Sequence, residues 1–259
     1  MTPIALTRPI PDSLASCELT HLERFPIDVS RARQQHAEYE RILASLGCEV
    51  VRVPAAHELP DSVFIEDTAI VFDELAVITR PGAAARRSET AAVASTVGAF
   101  RQLQFLAEPA TLDGGDVLRL GRTLYVGVGS RTNAAGVQQL RDLVSCRGYE
   151  VRSVAVDGCL HLKSAISEVA PGIVVLNPEW VDGRMFADHE IVQVDPSEPA
   201  AANVLRIGDV TVCAAAYPRT NARLSAVVTV RTVDVSELAK AEGALTCCSL
   251  IFNRGARLP

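Results

Sequence analysis

The chain has no apolar run approaching the roughly 20 residues that cross a bilayer, and no basic stretch followed by an apolar one opens it. No membrane partner and a cytoplasmic location are therefore expected. Positive charge is not in excess either. Lys and Arg number 25 against 31 Asp and Glu, a formal net charge of −6. A phosphate backbone calls for a basic face, so nucleic acid is not an expected partner, whereas a small cation is compatible with this balance. Aromatic residues are scarce, 5% of a chain that is 48% hydrophobic, so the core must be an Ala, Val and Leu packing of the α/β kind. CxxC, HxxxH, GxGxxG and GxxxxGK[ST] are all missing. Zinc-finger, dinucleotide and P-loop readings thus have no support, and neither metal nor cofactor is expected. The seven cysteines are odd in number and lack framework spacing, which argues for reduced thiols.

What is present is concentrated near the C-terminus. Thr246-Cys247-Cys248-Ser249 interrupts an apolar run, with Ala244-Leu245 before it and Leu250-Ile251-Phe252 after it. The run reads as a short buried strand. Alternation would then point Cys247 and Cys248 to opposite sides, one as nucleophile and the other as packing. A thiol attacks well near neutral pH once its thiolate is stabilised or its proton taken. His161, in Asp157-Gly158-Cys159-Leu160-His161-Leu162-Lys163-Ser164, is a candidate partner. Asp113-Gly114-Gly115-Asp116 reads as a hairpin turn that also delivers a carboxylate. Taken singly, each has a bland explanation: a core thiol, a core histidine, a turn.

Helical periodicity falls at 30–47, with Ser30 as N-cap and Gly47 as stop, at 88–101 opening at Ser88, and at 133–147 between Asn133 and Gly148. Weaker helical stretches lie near 178–187 and 219–226. Between them come short β-branched runs, Glu49–Val53, Ala69–Phe72, Leu75–Thr79, Val117–Leu120, Thr123–Val128, Val151–Val156, Ile173–Leu176, Glu190–Val194, Val204–Ile207, Val210–Cys213 and Val227–Val233, several joined by tight polar turns such as Asp73-Glu74, Gly121-Arg122 and Gly208-Asp209. The five helical segments begin roughly 40 to 57 residues apart, and the chain divided by five gives about 52 residues per unit, which fits five repeats that bury their faces on one another. A doubly wound sheet is the other reading, although hairpins between helices speak against an all-parallel sheet.

Several stretches together resemble the dimethylarginine dimethylaminohydrolases, cysteine hydrolases of the guanidino-group-modifying (pentein) superfamily. They are Pro60-Asp61-Ser62-Val63-Phe64-Ile65-Glu66-Asp67, Thr79-Arg80-Pro81-Gly82, Ser130-Arg131-Thr132-Asn133, Ala201-Ala202-Asn203, Tyr217-Pro218-Arg219-Thr220 and the Asp113, His161 and Cys247 segments. They occur in family order over nearly the whole chain. The resemblance implies an α/β five-bladed ββαβ propeller with pseudo-fivefold symmetry, one catalytic domain over 1–259, and a site at its central channel. It implies that Cys247 attacks the guanidinium carbon, that His161 moves the proton, and that Asp113 orients His161. Glu66 and Asp67 would face the guanidinium. Asp61, with backbone carbonyls near Leu19 and Ala241, would hold the α-amino group. Arg86 and Arg131 would take the α-carboxylate, and segment 12–27 would be a mobile lid. The implied reaction converts Nω-methylated arginines to citrulline and methylamine or dimethylamine. The implied partner is a small cationic amino acid, with the protein a monomer or homodimer. An arginine or agmatine deiminase and a non-catalytic binding protein on the same propeller remain as alternatives.

Overall fold

A computed structural model describes residues 2–255; Met1 and residues 256–259 lie outside them. Among the described residues, five three-stranded sheets are arranged on one plan: an antiparallel pair, then a third strand parallel to the middle one. The first sheet orders Leu250–Asn253, Pro3–Thr7 and Glu49–Arg52. The second contains Ala69–Val71, Ala76–Ile78 and Leu103–Phe105, and the third Val117–Leu120, Thr123–Val128 and Glu150–Ala155. The fourth contains Ile166–Ala170, Ile173–Leu176 and Glu190–Gln193, and the fifth Leu205–Ile207, Val210–Ala214 and Thr229–Val233. A parallel pair requires a crossover, and each crossover is where helical periodicity was expected. The result is the five-bladed ββαβ propeller. The doubly wound alternative fails because no sheet among the described residues exceeds three strands. Leu250–Asn253 closes the first blade against Pro3–Thr7, with Ile4 opposite Phe252.

The crossover helices depart from expectation for local reasons. The first, Val29–Ser45, starts earlier than predicted because Asp28, not Ser30, accepts the Arg31 amide at 3.0 Å. Its end at Gly47, φ 89°, is as read from the sequence. The second is only Thr90–Val97, preceded by a 3₁₀ segment Ala84–Glu89. In a 3₁₀ turn, residues three apart eclipse, and Arg86 and Glu89 form a buried ion pair at that spacing. The third, Ala134–Val144, is capped by Asn133 through the Gly136 amide, and Gly148 ends its 3₁₀ extension. Of the stretch expected at 178–187, only the 3₁₀ turn Gly183–Phe186 forms.

Candidate active site

The first strand of each blade lines a central channel of about 440 Å³. Lys163 projects into it and pairs with Glu66, Nζ to Oε1 at 2.5 Å. The Thr246 hydroxyl donates to the other Glu66 oxygen at 2.7 Å. Asn203 ties this pair to the segment that carries Cys247: its amide nitrogen donates to Thr246 Oγ1 and its oxygen accepts the Thr246 amide, both at 3.0 Å. Thr246 and Cys247 are adjacent, so this network sets the position of the thiol.

Cys247 does not lie on a strand. It is the centre of a 3₁₀ turn, Thr246–Cys248, that feeds the strand Leu250–Asn253. Alternation therefore cannot separate the two thiols. The turn does so through the step of roughly 120° per residue in a 3₁₀ helix. Cys247 lines a second cavity, whereas the Cys248 thiol donates to the Ala244 carbonyl at 3.3 Å and is buried. Tyr39, fully buried beneath the turn, donates its hydroxyl to the Leu245 carbonyl at 2.9 Å and meets the Ser249 hydroxyl at 2.7 Å.

The second cavity has about 20 Å³ of free space, room for about one water. Asp61, Asp67, Arg86, Arg131, His161, Ala241 and Cys247 all line it, so most of the expected site residues converge there. Three do not. Glu66 faces the channel, Asp113 is fully buried behind His161, and half-buried Leu19 packs on the core while its neighbour Glu18 lines the cavity.

His161 caps a one-turn helix, Leu162–Ala165, rather than sitting in an alternating strand. Asp116 fixes that turn by accepting the Leu162 amide at 3.0 Å and the Thr132 hydroxyl at 2.6 Å. His161 Nε2 lies 3.0 Å from Asp113 Oδ2, and Nδ1 lies 3.8 Å from Asp67 Oδ1. Asp113 is itself aligned by the Gly82 amide at 2.9 Å. The glycines beside Asp113 form no hairpin; Gly114–Asp116 is a 3₁₀ turn. A Cβ on Gly115 would stand 2.7 Å from both His161 Nδ1 and Asp67 Oδ1, and one on Gly114 would strike the Glu66 carbonyl oxygen. Close packing of the site, not a left-handed φ, demands glycine at both positions.

Burial opposes a charged His161, but Asp67, Asp113 and Asp116 outweigh it and raise the imidazole to about 9. Burial, then Glu66 and Asp67, push the Cys247 thiol up to about 12. Burial works against an ionised Asp67, yet His161 and Arg86 bring it down to about 2. At neutral pH the empty site therefore holds an imidazolium, a neutral thiol and a carboxylate. A guanidinium bound beside Asp67 would reverse the field on sulfur. Alkylation of Cys247 is expected to titrate well above an ordinary thiol in the empty protein, and lower with a small, non-hydrolysable cation bound. An empty-site pKa below neutrality would instead indicate a preformed thiolate–imidazolium pair.

The two arginines differ. Arg86 is committed: it reaches Asp67 at 2.6 Å, Glu89 at 2.9 Å and the Phe64 carbonyl at 2.9 Å. It holds the carboxylate of Asp67 in place and, as the structure stands, has no free fork for a substrate carboxylate. Arg131 is buried, yet its Nη1 lacks a hydrogen-bond partner among the described residues. Its Nη2 donates to Thr20 Oγ1 at 3.1 Å, and Nη1 lies 3.6 Å from Glu18.

A family model described as N,N dimethylarginine dimethylhydrolase, eukaryotic, matches residues 23–252. The chain is 41% identical over 248 residues to the N(G),N(G)-dimethylarginine dimethylaminohydrolase of Streptomyces coelicolor, covering 95% of each. The chain belongs to the dimethylarginine dimethylaminohydrolase family of hydrolases. The Pseudomonas aeruginosa dimethylarginine dimethylaminohydrolase is 32% identical over 228 residues, 87% of this chain and 90% of that one. A structure of the Pseudomonas aeruginosa enzyme, a Cys-to-Ser mutant complexed with citrulline, is similar at TM-score 0.93 and 30% identity, covering 97% of this chain and 100% of that one. The N-terminal domain of ArgZ, an arginine dihydrolase from cyanobacteria, shares only the fold, at 19% identity and TM-score 0.87 over 96% of this chain and 97% of that one.

Sequence reasoning missed Glu18, Phe64, Leu160 and Glu242, which line the cavity, and Lys163, Thr246 and Asn203 behind it. For Lys163 a signal existed, since it stands two residues after His161 in the matched segment. Nothing local marks Glu18 or Glu242.

Proposed function

We propose that the protein hydrolyses Nω,Nω-dimethyl-L-arginine and Nω-methyl-L-arginine to L-citrulline plus dimethylamine or methylamine. The observation that carries this reading is the convergence of Cys247, an Asp113-bound His161 and ionised Asp67 on one small cavity with a half-partnered arginine at its rim. Asp67 holds the guanidinium and sets its central carbon toward sulfur. Cys247 releases its proton to solvent as the cation arrives, and the thiolate forms the C–S bond to the guanidinium carbon. The tetrahedral adduct expels the methylated amine, which takes its proton from His161 and leaves a planar S-alkylthiouronium on Cys247. Neutral His161 then removes a proton from water. The resulting hydroxide adds to the central carbon, the C–S bond breaks, and the hydroxyl proton passes to the departing thiolate, giving the ureido group of citrulline and restoring the Cys247 thiol. Asp113 keeps the ring oriented and basic through both steps. A family relative has been captured as an adduct with S-methyl-L-thiocitrulline, in support of a thiol-linked path.

Asp61, with the main chain at Leu19 and Ala241, is assigned the α-amino group, and Arg131 the α-carboxylate. Arg86 acts mainly through Asp67. Arg131→Ala is expected to weaken methylarginine binding roughly 10- to 100-fold, the worth of hydrogen bonds to a charged group, while agmatine, which has no carboxylate, is affected far less. Steady-state KM values for both compounds check this. The deciding experiment for the reaction is product analysis with dimethylarginine, arginine and agmatine. Dimethylamine from the first supports the proposal. Ammonia from arginine or agmatine as the faster reaction would replace it with the deiminase reading.

A further inference from the structure

A free space for about one water cannot admit a methylated arginine, so the cover over the cavity must move for substrate to pass. That cover is the loop running from the 3₁₀ turn Leu14–Ser16 to the first crossover helix. Residues 20–26 of it are all exposed, so little apolar burial holds them down. Polar contacts do: Lys240 donates to the Pro26 carbonyl at 3.0 Å, and one carboxylate gathers the most. The Glu242 carboxylate accepts three consecutive lid amides: Thr20 at 3.0 Å, His21 at 2.5 Å and Leu22 at 2.6 Å. The grip is long-range within the chain, joining residues more than 200 positions apart.

Glu242 is also the one non-glycine residue with positive φ among those described, at 56°. Glycine is the ordinary occupant of that conformation, because a Cβ there is strained. A charged side chain kept at such a position is a functional signal. The residue follows Ala241, which lines the cavity, and precedes Gly243, where a Cβ would clash with the Phe64 ring. The latch is therefore built into the same tight turn that forms the cavity wall. Two weaker contacts flank it: Asp61 accepts the Glu18 amide at 3.2 Å, and Arg131 reaches Thr20. Both partners are proposed substrate-binding groups, so the lid settles on the groups that hold the substrate.

We infer that Glu242 is a positioning residue: by gathering the amides of Thr20, His21 and Leu22 it latches the lid closed, and so sets the Leu19 and Glu18 main chain against the amino-acid end of the substrate. This use of the latch rests on the proposed reaction; the latch itself does not. Glu242→Gly suits the backbone, since glycine relieves the positive φ, and removes only the grip. In the unliganded variant, amide exchange at Thr20, His21 and Leu22 is expected to speed up at least about tenfold, with no fall in melting temperature. With methylarginine, KM is expected to rise about tenfold or more with a smaller change in kcat. Glu242→Gln, which keeps an acceptor oxygen, should lie between the variant and the unaltered protein in both readouts. Unchanged exchange at the three amides overturns the latch, whatever the reaction proves to be. Faster exchange with unchanged KM overturns the positioning role. A drop in melting temperature for Glu242→Gly would mean that the turn is held for stability, and would overturn the inference as well.

Discussion

Cys247→Ser is expected to abolish turnover, by roughly 10⁴-fold or more, while Cys248→Ser keeps most of it. A serine hydroxyl at this position would face the same burial and the same carboxylates that already hold the thiol neutral. Nothing among the described residues is placed to ionise an alcohol, whose pKa lies far above that of a thiol. On the proposed reaction, a bound guanidinium lowers the thiol's pKa by field alone, and that is too small an effect to make an alkoxide. Cys248 has a different environment. Its thiol donates to the Ala244 carbonyl inside the apolar cluster beneath the turn. A hydroxyl can make the same bond, so Cys248→Ser should cost about 1–2 kcal/mol of stability and little activity. Initial rates on folded proteins, checked by melting temperature, decide the matter. Equal loss of activity from both substitutions, with both proteins folded, would remove the assignment of Cys247.

His161→Gly is expected to leave a folded protein whose turnover falls by several orders of magnitude. Acid–base work alone accounts for roughly 10²–10⁴ of this. The remainder follows from the field: without the imidazolium, Asp67 and Asp113 lose a partner positive charge close by. The raised imidazole also fixes a pH dependence. With its value at about 9, His161 is charged at neutral pH and can protonate the leaving amine. Donation is lost as pH rises through that value, so kcat should fall on the alkaline side near 9. The same sign applies to stability. The folded protein binds the His161 proton more tightly than the unfolded chain does. This contribution is full below the unfolded value of about 6.5 and disappears as pH rises through about 9. His161→Gly should flatten the melting-temperature profile in that window. Added imidazole is expected to restore part of the activity, because removing the side chain leaves a ring-sized space beside Asp113. Near-normal turnover without His161 would return it to the role of a core histidine.

The hairpins were legible because each one is local. Val117–Leu120, Thr123–Val128 and Ile173–Leu176 occur as read, and Gly121 and Gly208 take the positive φ that tight turns require. Pro3–Thr7, Leu103–Phe105 and Ile166–Ala170 were not seen. They are short, and each becomes a strand only through its neighbours; Pro3–Thr7 needs residues 250–253, at the other end of the chain, to complete its blade. The two cysteines show a subtler limit. Their neighbours read as a strand, and the thiols do diverge, but a 3₁₀ turn held by Tyr39 and Asn203 separates them. A period of two and a period of three cannot be told apart over so short a stretch.

From sequence alone came the five-unit period, the strand–turn–strand grammar of the blades, and a thiol, an imidazole and a carboxylate in segments that resemble one hydrolase family. These depend on the order of residues within tens of positions, which is where hydrophobic periodicity and turn chemistry act. Only the tertiary structure decided how the charges pair: Arg86 with Asp67 and Glu89, Arg131 with one nitrogen left over, Glu66 with Lys163, and Glu242 with the amides of Thr20, His21 and Leu22. A charge carries no local periodic signal. Its partner is whichever group the closed ring brings within a few ångströms, and the low dielectric around that pair then sets both protonation states.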